Sequence, residues 1–487
     1  MMKRILTFTC LLAAAWAGRG QSYEMAFAID RMQQPMLYVA QHYRDQFIVL
    51  DSTRPEKDGR YVFKGRRQWE RGIYTLLDSS RKKALTDFTI DGSQKFTIAG
   101  DSTLSAGSIK VKGSEANSRM FEYIARNNEA RVRARQMEKD KKSSDAAVRE
   151  QAQADLDALS KEMVAYEASM IERYGKYRFF ELQRMFSGPA VPDDERNKAV
   201  YYRTHYWDGI DLSDHSLMYT PDLFNKMNYY FFGVLYHADA DTICRYADSV
   251  LQRVEGDTAM MRYFMDFIMP RYYRSTKNIG WDQVWCYLVR HYYMAGKCGF
   301  ASKGELSNKR QTCEFLEKSL IGAPGIELLM ADTNQSENSA DWISSHRFPQ
   351  KYVILWFWDP DCHHCKEQTA TLITLYDSLS AAGNRPFEVY AVGYESDVAK
   401  WKKYVKDHRL PFVNVGGPNV NVDYQEAYNV HGAPTMIILN ADRQIIMNKT
   451  LPTASILPFL EQYEKRHPEQ ADRPPSRWQQ LPNARYR

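Results

Sequence analysis

The sequence is poor in features that would point to nucleic acid or a membrane. Its formal net charge at pH 7 is only +5 over 487 residues, and lysine and arginine are interleaved with acidic residues. The chain therefore lacks the basic patch that nucleic acid or an anionic membrane surface would require. After residue 17, no apolar run reaches the roughly 18 residues that cross a bilayer. We expect no nucleic-acid partner and no membrane insertion of the mature chain.

What the sequence does contain is ample material for packed cores. Hydrophobic residues make up 44% and aromatic residues 13% of the composition. At about 150 residues per domain, the length predicts roughly three domains. We therefore expect a globular, multi-domain chain.

The N-terminus has the pattern of a secretory signal. Lys3 and Arg4 precede an apolar run over residues 5–17 that ends in small residues, so residues 1–20 are assigned as a signal peptide. Cys10 lies inside the run, too early for a lipid-attachment box, which favours a soluble mature protein. We expect the protein in the periplasm or cell envelope, where disulfides persist.

Residues 21–112 are predicted to form an antiparallel β-sandwich. Short runs rich in β-branched and aromatic residues alternate with turn residues at the spacing of a small sandwich. No cluster of titratable residues suited to catalysis occurs here, which favours an interaction or spacer module. The predicted strands are residues 23–29, 46–50, 60–63, 73–77, 88–90 and 95–98.

Residues 113–320 are predicted to be all-α. The polar, proline-free stretch 114–185 predicts two long helices in a hairpin, whose charges mark either a solvated face or a partner-binding arm. From residue 196 onward, dense aromatic residues predict packed helices, whose rings form either a core or a ligand groove. One helix start is well marked, because Thr220 can cap it and Pro221 fits its first turn.

Four cysteines lie in this helical region, namely Cys244, Cys286, Cys298 and Cys313. If residues 281–295 extend as one helix, Cys286 and Cys298 would lie about 18 Å apart, too far to form a bridge. Cys298 and Cys313 flank a polar, glycine-containing loop. They are the best candidates for a structural disulfide, and free buried thiols are the alternative.

The residues with the clearest chemistry are Cys362 and Cys365. An apolar run over residues 352–358 predicts a buried strand that ends just before Cys362, where a helical pattern begins. Free N–H groups and the positive end of the helix dipole would stabilise a thiolate on Cys362, which predicts the attacking nucleophile. Cys365, one turn later and shielded, would attack the mixed disulfide and release the bound thiol.

His363 and His364 separate the two cysteines. When protonated, either histidine would favour the thiolate and stabilise the reduced form, which makes the couple more oxidising. A zinc half-site is the alternative for paired cysteines, but no second Cys/His pair with ligand spacing occurs nearby. We therefore expect a redox pair with tuning histidines, with no metal and no cofactor.

Two motifs in residues 321–465 resemble the thioredoxin superfamily, especially the exported thiol-disulfide oxidoreductases of the TlpA/ResA type. One comprises Phe357-Trp358 and the Cys362-His-His-Cys365 motif, and the other is Tyr428-Asn-Val-His-Gly-Ala-Pro-Thr435, which is similar to the family's cis-proline loop. The resemblance implies an α/β fold in which Pro434 is cis and lies beside the cysteines. It also implies that the Ala433 backbone pairs with a bound protein substrate.

Three positions depart from the family pattern. Trp356 and Gln368 stand where relatives place acidic residues near the cysteines, and Ala370 replaces a proline. Proton transfer to Cys365 therefore lacks its usual helper, and Glu367 or a histidine could substitute for it.

The upstream regions resemble poorly characterised β-rich and helical modules that precede thioredoxin domains in some Gram-negative envelope proteins. That likeness is carried by residues 61–65, 202–207 and 280–284. At the other end of the chain, residues 466–487 are predicted to form a polar tail. No function travels with the likeness.

The sequence thus predicts a periplasmic thiol-disulfide oxidoreductase with a C-terminal α/β domain. Its partners would be protein thiols or disulfides and a membrane or periplasmic redox protein. The alternative is an envelope scaffold whose two cysteines are merely a structural bridge. The direction of electron flow stays open, because it depends on a potential that the sequence does not reveal.

Overall fold

The structure of the protein is a computed structural model that describes residues 22–273, 279–332, 342–394 and 397–471. The predicted signal peptide and most of the predicted tail lie outside these described residues. The chain divides into two compact units between Tyr236 and His237. No helix in the described stretches is long and apolar enough to cross a membrane.

The first unit begins with two four-stranded sheets, in the orders β4-β1-β7-β8 and β3-β2-β5-β6. Side chains from both sheets, among them Phe27, Leu76 and Ile98, share one buried core, so the predicted sandwich is confirmed. One pair departs from the antiparallel expectation, because β1 runs parallel to β7. The strands are β1 (Tyr23–Ile29), β2 (Leu37–Tyr43), β3 (Gln46–Thr53), β4 (Tyr61–Gly65), β5 (Gly72–Leu77), β6 (Ala84–Ile90), β7 (Lys95–Gly100) and β8 (Lys110–Lys112).

Five α-helices complete the described part of the first unit. The predicted hairpin is present: Arg126 on α1 pairs with Glu162 on α2, and the rings of Tyr123 and Tyr166 stack. Thr220 caps α5 as predicted, because its side chain accepts a hydrogen bond from the Leu223 N–H. The helices are α1 (Glu115–Asp140), α2 (Ala146–Tyr174), α3 (Arg178–Phe186), α4 (Lys198–His205) and α5 (Pro221–Tyr229).

In its described residues, the second unit opens with four α-helices and short helical turns between them, whose aromatic residues are largely buried. Tyr263, Tyr272 and Tyr292 are almost fully enclosed, which favours the core interpretation of this region over a ligand groove. The helices are α6 (Ala240–Leu251), α7 (Thr258–Tyr272), α8 (Trp281–Leu288) and α9 (Lys303–Glu317).

For Cys298 and Cys313, the structure favours the second of the two alternatives, free buried thiols, over the bridge. All six cysteines in the described residues are free, and Cys313 lies beside Cys286 instead. The reason is geometric: Cys313 faces α8 from the buried side of α9, whereas Cys298 belongs to the loop between the two helices.

The rest of the second unit is an α/β domain built on a seven-stranded sheet in the order β10-β9-β13-β12-β11-β14-β15. Its strands are β9 (Leu329–Asp332), β10 (Trp342–Ser344), β11 (Tyr352–Trp358), β12 (Phe387–Gly393), β13 (Val413–Val420), β14 (Thr435–Leu439) and β15 (Ile445–Met447). Its helices are α10 (His363–Ala381), α11 (Val398–Asp407), α12 (Tyr424–Tyr428), α13 (Ile456–Arg466) and α14 (Pro468–Ala471).

Strand β11 is the centre of this domain. It pairs in parallel with β12 and antiparallel with β14, and all seven of its residues are buried. Because side chains alternate across a strand, Ile354 and Trp356 face a core shared with α10, α11 and α13. Val353 and Leu355 face a second core on the other side of the sheet. The predicted multi-domain architecture is confirmed, whereas the exact domain limits stay predictions.

Candidate active site

The two cysteines lie where β11 ends and α10 begins. Two hydrogen bonds close the turn between β11 and α10. The Asp359 carboxylate accepts from the Asp361 N–H at 2.6 Å, and the Asp359 carbonyl accepts from the Cys362 N–H at 3.2 Å. Cys362 is the N-cap residue of α10. A buried strand thus delivers the first cysteine to a helix N-terminus, as the sequence predicts.

Cys362 is half-buried, and its sulfur has two polar neighbours. The Cys365 N–H donates to the Cys362 sulfur at 3.2 Å, while the Cys362 thiol donates to the Ala433 carbonyl oxygen at 3.6 Å. The peptide bond between Ala433 and Pro434 is cis. The fold therefore brings together two motifs that lie 71 residues apart, and the expected cis bond is confirmed.

Hydrogen bonds hold the cis-proline segment in place. Thr435, the first residue of β14, pairs with Phe357 near the end of β11. The Thr450 hydroxyl donates to the Pro434 carbonyl at 3.1 Å and accepts from the Met436 N–H at 3.2 Å. The segment is thereby tied both to the strand that delivers the cysteines and to the loop after β15.

Cys365 is enclosed completely, with 0% of its surface exposed. Burial, together with the neighbouring Cys362 thiol, raises the pKa of Cys365 to about 12. Burial acts in this direction because it penalises the charged thiolate. At neutral pH Cys365 is therefore a protonated thiol that needs a proton acceptor before it can attack.

His363 and His364 project into solvent, with side-chain exposures of 79% and 80%. His363 Nε2 lies 3.3 Å from Glu367 Oε1, and His364 Nδ1 lies 3.6 Å from Glu367 Oε2. Glu367, one of the predicted proton acceptors, thus contacts the histidines. The tuning role of both histidines stays a prediction.

Residues 350–445 match a family model described as thioredoxin-like. The C-terminal α/β domain is thioredoxin-like. Residues 135–315 match a second family model, a domain of unknown function designated DUF5106. This match agrees with the expectation that the upstream modules belong to uncharacterised families. No curated protein matches the chain.

Solved bacterial structures align with the chain as well. A thioredoxin-like protein from Bacteroides caccae is 17% identical, with 58% of this chain and 98% of that protein covered and a TM-score of 0.44. A domain of a possible thiol-disulfide isomerase from Cytophaga hutchinsonii is 26% identical, with 31% and 97% covered and a TM-score of 0.27. The thioredoxin domain of a thiol-disulfide oxidoreductase from Bacteroides vulgatus is 20% identical, with 29% and 96% covered and a TM-score of 0.25.

Trp356 and Gln368, which stand where relatives of the thioredoxin-like domain place acidic residues, have other contacts. The Trp356 ring N–H donates to the Thr369 hydroxyl at 3.1 Å inside the core. Gln368 accepts from the Thr453 N–H at 3.3 Å and from its hydroxyl at 3.2 Å. Both side chains are engaged in packing the start of α10, so neither takes over the acidic role.

Sequence reasoning missed Asp359. Its backbone N–H faces the Cys365 thiol and lowers the pKa of that group, whereas its negative charge raises it, both more weakly than burial does. An acid between a buried strand and the first cysteine was a visible signal. Asp359 is therefore a better candidate for proton transfer than the exposed Glu367.

The described residues contain no group of three or more histidine, cysteine, aspartate or glutamate side chains that could hold a metal ion. In these stretches, the arrangement around Cys362 and Cys365 offers two adjacent sulfurs, a helix N-terminus and a backbone carbonyl. Such a set can exchange a dithiol with a disulfide.

Proposed function

We propose that the protein is an exported thiol-disulfide oxidoreductase that acts on protein thiols or disulfides. The thioredoxin-like fold supports a redox-type function in general. The observation that carries the specific proposal is the asymmetry of the pair: Cys362 is half-exposed at a helix N-cap, and Cys365 is fully buried behind it. An accessible nucleophile with a shielded resolving thiol is what stepwise disulfide exchange requires.

In the first step, the Cys362 thiolate attacks one sulfur of a substrate disulfide. A bond forms between the Cys362 sulfur and that substrate sulfur, and the other substrate sulfur leaves as a thiolate that takes up a proton. Cys365 then loses its proton and attacks the Cys362 sulfur, which releases the second substrate thiol. Two electrons pass from the enzyme dithiol to the substrate, and the reverse sequence oxidises a substrate dithiol.

The neighbours of the pair have distinct proposed roles. The Cys365 N–H, 3.2 Å from the Cys362 sulfur, stabilises the attacking thiolate. In the reverse, oxidising direction it stabilises the same sulfur as it leaves the mixed disulfide. The Ala433 backbone beside cis Pro434 pairs with an extended segment of the substrate. Asp359 accepts the proton of Cys365, and His363 and His364 adjust the potential from solvent.

We further propose that the mature protein works in the periplasm or cell envelope and exchanges electrons with a membrane or periplasmic redox partner. The N-terminal pattern over residues 1–20 supports export. An oxidising compartment requires a partner protein to maintain a thiol couple. Cell fractionation with an antibody to the full chain tests the location, and a cytoplasmic protein of full length would overturn it.

The decisive experiment is a redox titration of the purified full chain in graded glutathione buffers, with alkylation and mass spectrometry as the readout. We expect a reversible couple confined to Cys362 and Cys365. Cys362→Ser should abolish it, whereas Cys298→Ser, a change at a buried free cysteine, should leave it intact. A potential near about -120 mV would indicate an oxidant and one near about -270 mV a reductant.

If Cys362 and Cys365 do not exchange reversibly, the oxidoreductase proposal fails. The remaining function would be the envelope scaffold, in which the same pair is an inert bridge. The partial exposure of the Cys362 sulfur argues against that alternative, since structural bridges are typically buried.

A further inference from the structure

A second cysteine pair lies in the helical part of the same unit. Cys286 on α8 and Cys313 on α9 are 27 residues apart in sequence, and each sulfur touches the other's backbone. The Cys286 sulfur lies 3.9 Å from the Cys313 carbonyl oxygen, and the Cys313 sulfur lies 3.8 Å from the Cys286 carbonyl oxygen. The two helices thus contact each other through these residues.

This geometry suits a covalent bridge. A disulfide needs Cα atoms within about 4.4 to 6.8 Å and Cβ atoms that point toward each other. A carbonyl oxygen is two bonds from its own Cα, so the two reciprocal sulfur contacts place each side chain against the backbone of the other cysteine. The neighbouring Cys313 thiol, followed by burial, raises the pKa of Cys286, which agrees with two thiols that face each other.

The surroundings would tolerate the loss of both thiol protons. The Cys313 thiol donates to Glu317 Oε1 at 3.3 Å. The Glu317 carboxylate is also held by two hydrogen bonds from Arg290, at 2.9 and 2.5 Å. Bridge formation would therefore leave Glu317 with its charged partner and strand no buried polar group.

Cys313 belongs to the small buried part of helix α9. Of its 15 residues, only Cys313 and Leu316 are buried. Beyond the bridge position, the Phe315 ring lies 5.7 Å from the His431 ring, two residues before Ala433. A bond at Cys313 would fix the helix that supports the cis-proline segment of the proposed active site.

We propose that Cys286 and Cys313 form a structural disulfide in the exported protein. The two thiols lose two protons and two electrons, and a sulfur–sulfur bond forms between them. The electrons reduce the disulfide of an oxidising envelope protein, or oxidised glutathione, to two thiols. Because both cysteines are at most 3% exposed in the folded chain, the bond forms during folding. The proposal rests on export but not on catalysis by Cys362.

The test is to refold the reduced, denatured full chain in a buffer of oxidised and reduced glutathione, then alkylate and digest it without reductant. Lysine and arginine residues between them place Cys286, Cys298 and Cys313 on separate tryptic peptides. We expect one cross-linked pair of peptides that contains Cys286 and Cys313, with Cys298 alkylated. Alkylation of all three, or a link to Cys298, would overturn the proposal.

A stability measurement keeps the test independent of peptide recovery. The double variant Cys286→Ala with Cys313→Ala should melt several degrees below the oxidised wild type, because it lacks the cross-link that restricts the unfolded chain. The matched control Cys298→Ala should keep both the cross-link and most of the melting temperature. Equal melting of the double variant and the control would contradict the proposal.

The outcome is distinguishable from failure of the proposed enzymatic function. Cys362 and Cys365 share one tryptic peptide that contains neither member of the other pair. A link between Cys286 and Cys313 with an inert Cys362 would support the bridge and refute the enzyme. A reversible couple at Cys362 without that link would do the reverse.

Discussion

The second unit contains two pairs of neighbouring cysteines whose settings differ in nearly every respect. Cys362 and Cys365 lie three residues apart at a helix N-terminus, and the first is half-exposed. Cys286 and Cys313 come from two different helices, and both are buried. Under the two proposals, proximity alone does not make a redox site. Access and a thiolate-stabilising environment decide whether adjacent sulfurs exchange or simply cross-link.

The largest expected difference between the two pairs is the ability to trap a substrate. The variant Cys365→Ser should accumulate a mixed disulfide between Cys362 and a substrate protein, because no resolving thiol remains. Cys362→Ser should lose exchange activity completely, since the nucleophile is gone. Non-reducing gel electrophoresis followed by mass spectrometry of the adducts is the measurement.

The matched comparison for trapping is Cys286→Ser or Cys313→Ser. We expect neither variant to form adducts, because the remaining thiol is buried. Mixed disulfides on Cys286 or Cys313 in the native protein would show that the buried pair also exchanges.

The next largest contrast is the rate of alkylation in the reduced native protein. We expect iodoacetamide to modify Cys362 at least about 1000-fold faster than Cys286 or Cys313, because buried thiols react only after local opening of the fold. Mass spectrometry of timed samples gives the rates, and denaturation in urea should equalise them. Comparable native rates would remove the distinction between the two pairs.

Each cysteine pair has a carboxylate nearby. Asp359 lies near Cys365, whereas Glu317 lies beside Cys313 and is held by Arg290. If Asp359 takes the proton from Cys365, Asp359→Asn should slow the resolving step by about 100-fold. Asparagine retains an oxygen that can accept the Asp361 N–H, so the turn should survive. Stopped-flow kinetics with a fluorescent disulfide substrate gives the rate and its pH profile.

The opposite sign would exclude Asp359 as the base. If its charge merely opposes the thiolate, the same substitution should speed the resolving step slightly. Glu367→Gln is the control, because Glu367 is exposed and contacts the histidines. We expect that variant to resolve the mixed disulfide at nearly the wild-type rate.

The pH dependence of stability tests the enclosure of Cys365. Its pKa is raised from 9.0 to about 12 in the folded chain, so the unfolded chain loses this proton first. The protonated thiol therefore makes its full contribution to the free energy of unfolding below pH 9, and this contribution is lost as the pH rises from 9 to 12. The loss should reach about 1.4 kcal/mol per pH unit.

Urea unfolding of the reduced protein at several alkaline pH values measures this loss, with Cys365→Ser as the reference that cannot titrate there. The free energy of unfolding of the wild type should decline more steeply than that of the variant. Parallel declines would mean that Cys365 is hydrated in the folded chain.

The candidate site was predictable because its signals are local or ordered along the chain. The apolar run of β11, the start of α10 and the proline at 434 specify a strand, a helix cap and a turn, and each is set by neighbouring residues. The general architecture was predictable for the same reason, since β-rich, helical and α/β segments follow one another. The parallel pairing of β1 with β7 was missed because strand partners are not encoded locally.

The cysteine that lies beside Cys313 could not be predicted in the same way. Cys298 is closer in sequence, but Cys286 is the neighbour in the structure, because α8 packs on α9. That packing depends on which helix faces are buried together. Asp359 escaped attention for a related reason. Its nearness to Cys365 comes from the folded turn, rather than from any spacing rule.

The smallest expected effect concerns the two histidines. Because His363 and His364 are largely exposed and contact Glu367, solvent screens their effect on the Cys362 thiolate. Replacing both by alanine should make the redox potential more negative by about 30 mV or less, because a less stabilised thiolate makes the reduced form less stable relative to the disulfide. Glutathione titration of the double variant measures this, and a shift of about 100 mV would show that the histidines approach the sulfur more closely than their pairing with Glu367 allows.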